Sequence, residues 1–192
     1  MKRITWIGFT GLALSILLAN PLFSKDTPQV RLRGKPLTLM GTAITPGQAL
    51  PRLSLPDSRM KPVDLSAFKG KVTIVSVVPS IDTRVCEKQT HILSEENGGL
   101  DATVRLVTVS RDLPFAQKRF AQEAKINNVL FLSDYRDAGF GTASGLLIQE
   151  NRLLTRAVMV LDKAGIIRHL EIVPDLGQLP DMKKAFAVAG SL

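Results

Sequence analysis

The chain has 192 residues, 45% of them apolar, a formal net charge of +8 and a single cysteine. That is enough apolar material for one globular domain with a sizeable core, and one cysteine excludes an internal disulfide. The lysines and arginines are scattered, with no long basic run and no interleaved aromatics, so the charge reads as a solvated surface and not as a nucleic-acid groove.

Lys2 and Arg3 precede an uncharged stretch from Ile4 to Ser24, the layout of a secretory signal: a basic start, then an apolar segment. A retained membrane anchor is the alternative, because about 20 apolar residues cross a bilayer. Gly8, Gly11, Ser15, Asn20 and Pro21 dilute the stretch and favour the signal, although no small-x-small cleavage pattern stands near Ala19 or Ser24. Either reading places the folded part, residues 25–192, outside the cytoplasm.

Val30 to Met40 alternates around Gly34-Lys35-Pro36 and predicts an N-terminal β-hairpin with its turn at those three residues. A short strand is expected at Arg52 to Leu55, a turn at Pro56 to Arg59, and a one-turn helix at Leu65 to Phe68 before Gly70. Val72 to Val78 (VTIVSVV) is short and β-branched, as expected of a central strand buried on both faces.

Pro79 ends that strand, Ser80 and Asp82 are turn formers, and Thr83 is a good N-cap. Cys86 then falls in a helix's first turn, among unpaired N–H groups at the positive end of the helix dipole, with the Thr83 hydroxyl beside it. Gly98 and Gly99 break the helix, and Ala102 to Ser110 is the next strand. Asp112 is expected to cap a helix that carries Pro114 in its first turn and runs to about Lys125. A strand at Val129 to Leu132, a weakly helical segment from Asp137 to about Leu147, two strands (Arg156 to Leu161 and Ile166 to Val173) joined across Asp162 to Gly165, and a helix from Leu179 to Val188 complete the chain. Alternating β and α followed by a hairpin and a helix implies an α/β layered domain.

The thiolate is the reactive form of cysteine, and an ordinary thiol with a pKa of about 8.5 is only a few per cent ionised near neutrality. Each unit of change takes about 1.36 kcal/mol. A helix N-terminus supplies typically ~0.3 to 1 kcal/mol, so it falls short alone and a cation is wanted. Arg84, two residues from Cys86, points to another side of the turn. Arg156 opens a strand whose end can lie beside the Cys86 loop, and is the better candidate. His91 lies well round the helix from the sulfur, so a Cys/His metal pair is not expected. Asp82, Glu87 and Asp112 read as turn and helix-start residues without a catalytic part.

Pro79, Thr83 and Cys86 fit the spacing PxxxT/SxxC, and VPSIDTRVC resembles the signature of the thiol peroxidase subfamily of the peroxiredoxins. Ser110 to Phe120 (SRDLPFAQKRF) and Leu154 to Asp162 (LTRAVMVLD) are similar to two further segments of that subfamily, in order and without large gaps from Val30 onward. The resemblance implies a thioredoxin-like fold of peroxiredoxin type, with a central mixed sheet flanked by helices and an N-terminal β-hairpin. It implies that Cys86 attacks a hydroperoxide that Thr83 and Arg156 orient, that Pro79 shields the sulfur, and that no metal, haem or flavin takes part. It also implies a homodimer.

One departure stands out. The subfamily usually carries a resolving cysteine just after the DLPFAQxRF segment, where this chain has Ala121. Cys86 sulfenic acid would then need an external reductant, a thioredoxin-like protein or a small thiol. The alternative is a peroxide sensor or redox relay in which Cys86 forms mixed disulfides without efficient turnover.

Overall fold

The computed structural model describes residues 28–192, so the segment read as a signal or anchor lies outside the described residues. The chain opens with β1 (Val30–Leu32) and β2 (Lys35–Leu37), an antiparallel hairpin, followed by β3 (Leu39–Met40). Next come β4 (Ser54–Pro56) and β5 (Pro62–Asp64), a 3-10 turn at Leu65–Phe68, and β6 (Thr73–Val77). Helix α1 (Arg84–Glu95), β7 (Arg105–Ser110), α2 (Pro114–Glu123) and β8 (Val129–Ser133) alternate after it. Short α3 (Gly139–Ser144) and β9 (Leu147–Ile148) lead to β10 (Ala157–Leu161), β11 (Ile167–Ile172) and α4 (Met182–Gly190).

Five strands form the central sheet in the order β11-β10-β6-β7-β8. Strands β6, β7 and β8 are parallel, as their helical crossovers require, and β10 runs antiparallel to β6 with Ala157 opposite Val77. Every residue of β6 is buried, as a β-branched run flanked on both faces should be. Val75 and Val77 face a core with Val107, Val109, Met159 and Phe140, while Ile74 and Val78 face Leu93, Leu106, Val160 and Ala185, beneath α1 and α4. No described helix is long and apolar enough to cross a membrane.

Four local expectations are corrected. The hairpin turns at Arg33-Gly34, both with positive φ (52° and 79°), which suits the twist of a two-residue hairpin turn, while Lys35 and Pro36 join β2. Pro36 has no N–H to donate and sits in a two-stranded pairing, where that loss is tolerated. The strand expected at Arg52 to Leu55 is shifted to Ser54–Pro56, because it pairs with β5, a partner too short to stand out in the sequence. Ala102 belongs to a 3-10 turn after left-handed Gly99 and not to β7. Asp112 does not cap α2: with Pro114 as the first helical residue the N-cap is Leu113, which leaves the Asp112 carboxylate for other partners.

Candidate active site

Strand β6 ends because Val78 makes the last ladder bond, to Val109, and Pro79 has no N–H with which to continue. The loop from Pro79 to Asp82 turns the chain into α1, with Thr83 in extended conformation at the N-cap. Its hydroxyl makes no capping bond to the helix backbone. Instead Thr83 Oγ1 lies 3.0 Å from Cys86 Sγ and 3.3 Å from the Ser80 carbonyl oxygen. A hydroxyl has one hydrogen and two lone pairs, so it can donate to the sulfur or the carbonyl and still accept a hydrogen from a bound molecule.

Cys86 is fully buried in the first turn of α1. Arg156 reaches it from across the sheet. The antiparallel register that sets Ala157 opposite Val77 places the preceding residue at the same end of the sheet as the Pro79 loop, and Arg156 Nη2 stands 3.3 Å from Sγ. Its Nε donates to the Leu176 carbonyl (3.0 Å) and its Nη1 to Gln89 Oε1 (2.7 Å), which fixes the plane of the guanidinium. Arg156 is 2% exposed and, among the described residues, pairs with no carboxylate. A buried cation without a counter-ion is costly, and negative charge on the adjacent sulfur would offset that cost.

Gln89 was not singled out in the sequence. It is three residues after Cys86, hence on the same helix face, and fully buried. Its Nε2 donates to Ser76 Oγ (2.8 Å), which orients the amide so that Oε1 faces Arg156. A polar residue one turn beyond the cysteine, on a face otherwise bound for the core, was the available signal.

Thr83, Cys86 and Arg156 are therefore brought together. Pro79 is buried at the end of β6, where it sets the loop's departure. Arg84 is exposed and bonded to none of these groups, and His91 hydrogen-bonds Glu95 (2.6 Å) one helical turn on. Over Thr83, between the start of α1 and the end of α2 (Phe120, Glu123) with its C-cap Ala124, opens a depression of about 330 Å³.

Residues 45–186 match the family model described as Redoxin. The chain belongs to the redoxin family. Among curated redoxins it is 42% identical over 160 residues to a thiol peroxidase of Halalkalibacterium halodurans, covering 83% of this chain and 96% of that one. It is 40% identical over 164 residues to a thiol peroxidase of Bacillus subtilis, covering 85% and 98%. A peroxiredoxin-like protein of Aquifex aeolicus superposes with a TM-score of 0.79 at 32% identity over 85% of this chain and 96% of the other. A thiol peroxidase from Chromobacterium violaceum, at 20% identity, shares the fold with a TM-score of 0.73. The redoxin sheet with its N-terminal hairpin is thus the thioredoxin-like, peroxiredoxin-type architecture that the motif implied.

Proposed function

We propose that the protein is a thiol-dependent peroxidase that reduces hydrogen peroxide and organic hydroperoxides through Cys86 alone. The observation that carries this reading is the buried guanidinium of Arg156, unpaired with any described carboxylate, 3.3 Å from the sulfur of the one cysteine. The names of the curated relatives support it.

In the first step the Cys86 thiolate attacks the nearer peroxide oxygen in line with the O–O bond. An S–O bond forms, the O–O bond breaks, and the departing oxygen leaves as water or alcohol after taking up a proton. Arg156 would hold the reacting oxygens and the charge that moves between them, and Thr83 Oγ1 would accept the peroxide hydrogen and so fix its direction. Pro79 would shield the sulfur from water. In the second step an external thiol attacks the sulfenic sulfur, water leaves, and a second thiol resolves the mixed disulfide, returning Cys86 to its reduced form. Ala121 fills the place from which an internal thiol would have come, so both electrons are supplied from outside.

The full enclosure of Cys86 favours one competing reading, a sensor oxidised once and reduced poorly. Peroxide consumption with dithiothreitol in excess separates the two: many equivalents consumed, all dependent on Cys86, support the peroxidase. Consumption that stops after one equivalent supports the sensor.

Two further proposals stand beside this one, the first from the family resemblance and the second from the N-terminal sequence. The protein is a homodimer, for which exposed Leu113 and Phe115, flanking Pro114, supply an apolar patch to cover. A single species of monomer mass in light scattering across micromolar concentrations would refute it. The protein is also exported, on the strength of the segment from Lys2 to Ser24, and N-terminal sequencing of the protein recovered from its cell would show whether that segment is removed.

A further inference from the structure

Cys86 is closed off from solvent, yet with no second cysteine its sulfenic acid has to meet an external thiol whose sulfur must approach in line. Thr83 Oγ1 at 3.0 Å and Arg156 Nη2 at 3.3 Å stand against Sγ with no space for a second sulfur between, so on the peroxidase reading the loop from Pro79 to Thr83 has to be firm in one step and yield in the other. Among the described residues, no backbone-to-backbone hydrogen bond ties residues 79–82 to another element. Their internal bonds, Asp82 N–H to Ser80 Oγ (3.2 Å) and Thr83 Oγ1 to the Ser80 carbonyl (3.3 Å), set the loop's shape but do not anchor it.

The anchor is Asp112. Its Oδ1 accepts from the Ser80 hydroxyl at 2.7 Å and its Oδ2 from the Ile81 N–H at 2.8 Å, and it is the one side chain outside residues 79–86 that hydrogen-bonds the loop among the described residues. Asp112 is itself fixed, because its carbonyl accepts from Ser133 Oγ at the end of β8 and it immediately precedes the N-cap of α2. The Ser80 carbonyl that this latch positions is the one facing the Thr83 hydroxyl, so Asp112 acts on the peroxide site through Ser80 and Thr83.

We propose that Asp112 is a positioning residue that latches the Pro79–Thr83 loop over the sulfur, holding Thr83 for the peroxide step, and that release of this latch admits the external thiol. The inference rests on the peroxidase reading and assigns to one carboxylate the balance between its two half-reactions. Alanine removes both acceptors, whereas asparagine can still accept from the Ile81 N–H through Oδ1 and donate to Ser80 Oγ through its NH₂, so that it loses the charge and keeps both contacts.

The test is stopped-flow measurement of the two half-reactions separately, oxidation by hydrogen peroxide and reduction of the sulfenic acid by dithiothreitol, in wild type, Asp112→Asn, Asp112→Ala and Ser80→Ala, with Cys86 alkylation by N-ethylmaleimide alongside. Expected for Asp112→Ala is oxidation slower by about tenfold, the scale of one charge-assisted hydrogen bond, with reduction and alkylation both faster, and for Asp112→Asn the same changes but smaller. Ser80→Ala, which keeps the Ile81 bond, should move all three the same way by less. A merely structural role would lower both half-reactions together with thermal stability, and that result, or folded variants with unchanged rates, overturns the proposal. If the Asp112 variants do not fold, Ser80→Ala decides it. Wild type inert to peroxide would refute the peroxidase reading instead, while the alkylation rates would still report on the latch.

Discussion

Arg156 Nη2 and Cys86 Sγ lie 3.3 Å apart although 70 positions separate them, and both are buried. The arginine's other two hydrogen bonds go to neutral acceptors, the Leu176 carbonyl and Gln89 Oε1. Lysine would keep the charge but not the three-way fork. Arg156→Lys should slow peroxide oxidation of Cys86 by roughly ten- to a hundredfold, in line with ~1.5 to 3 kcal/mol for a hydrogen bond to a charged group. Stopped-flow fluorescence or competition against a second peroxidase would measure it.

Gln89 holds that arginine in place. Gln89→Leu strands Arg156 Nη1 and leaves Ser76 Oγ without its amide partner in the core, a loss of about 1 to 3 kcal/mol. It should lower the unfolding midpoint and slow peroxide oxidation together. Gln89→Met, of similar volume but equally unable to bond the guanidinium, should show the same rate loss, whereas an effect of shape alone would disappear.

These two residues also show what could be read in advance. The strand-loop-helix junction and the cysteine in the first turn were legible because each is a local pattern, a β-branched run, a proline stop and a cap three residues before a thiol, whereas Arg156 was read from its place ahead of a late apolar strand together with the family resemblance, and that strand begins one residue later, at Ala157. Gln89 was not, since a buried amide and an exposed one look alike until Arg156 arrives from the far end of the chain. Asp112 was misread for a related reason. An aspartate ahead of Pro114 invites a helix-cap reading, and only the fold reveals that Ser80 and Ile81 claim its carboxylate. Strand β5 escaped notice because it is three residues long and exists only by pairing with β4.

Thr83 offers a clean contrast between hydroxyl and shape. Thr83→Ser keeps the oxygen 3.0 Å from the sulfur and should retain most of the peroxide rate, while isosteric Thr83→Val should lose about tenfold or more. Equal rates in the two variants would remove the hydroxyl from the mechanism.

Stability should fall on mild acidification through His169. Burial, with Lys184 nearby, holds its imidazole below the ordinary histidine range, and the opposing pull of Glu171 and Asp181 is weaker. Its Nε2 is buried without a hydrogen-bond partner. The unfolded chain therefore takes up this proton first: the contribution is fully present above the ordinary value near 6.5 and is lost as pH falls toward the depressed folded value. Urea unfolding at pH 7.5 and 5.5 should show a smaller difference in His169→Gln than in wild type.

If this enclosed sulfur is built to be oxidised by peroxide, intact mass after one equivalent of hydrogen peroxide, with no thiol present, will show it. One added oxygen per chain is expected, located at Cys86, reversed by dithiothreitol and absent in Cys86→Ser. An unchanged mass, or oxygen found on methionine with Cys86 still reduced, would contradict it.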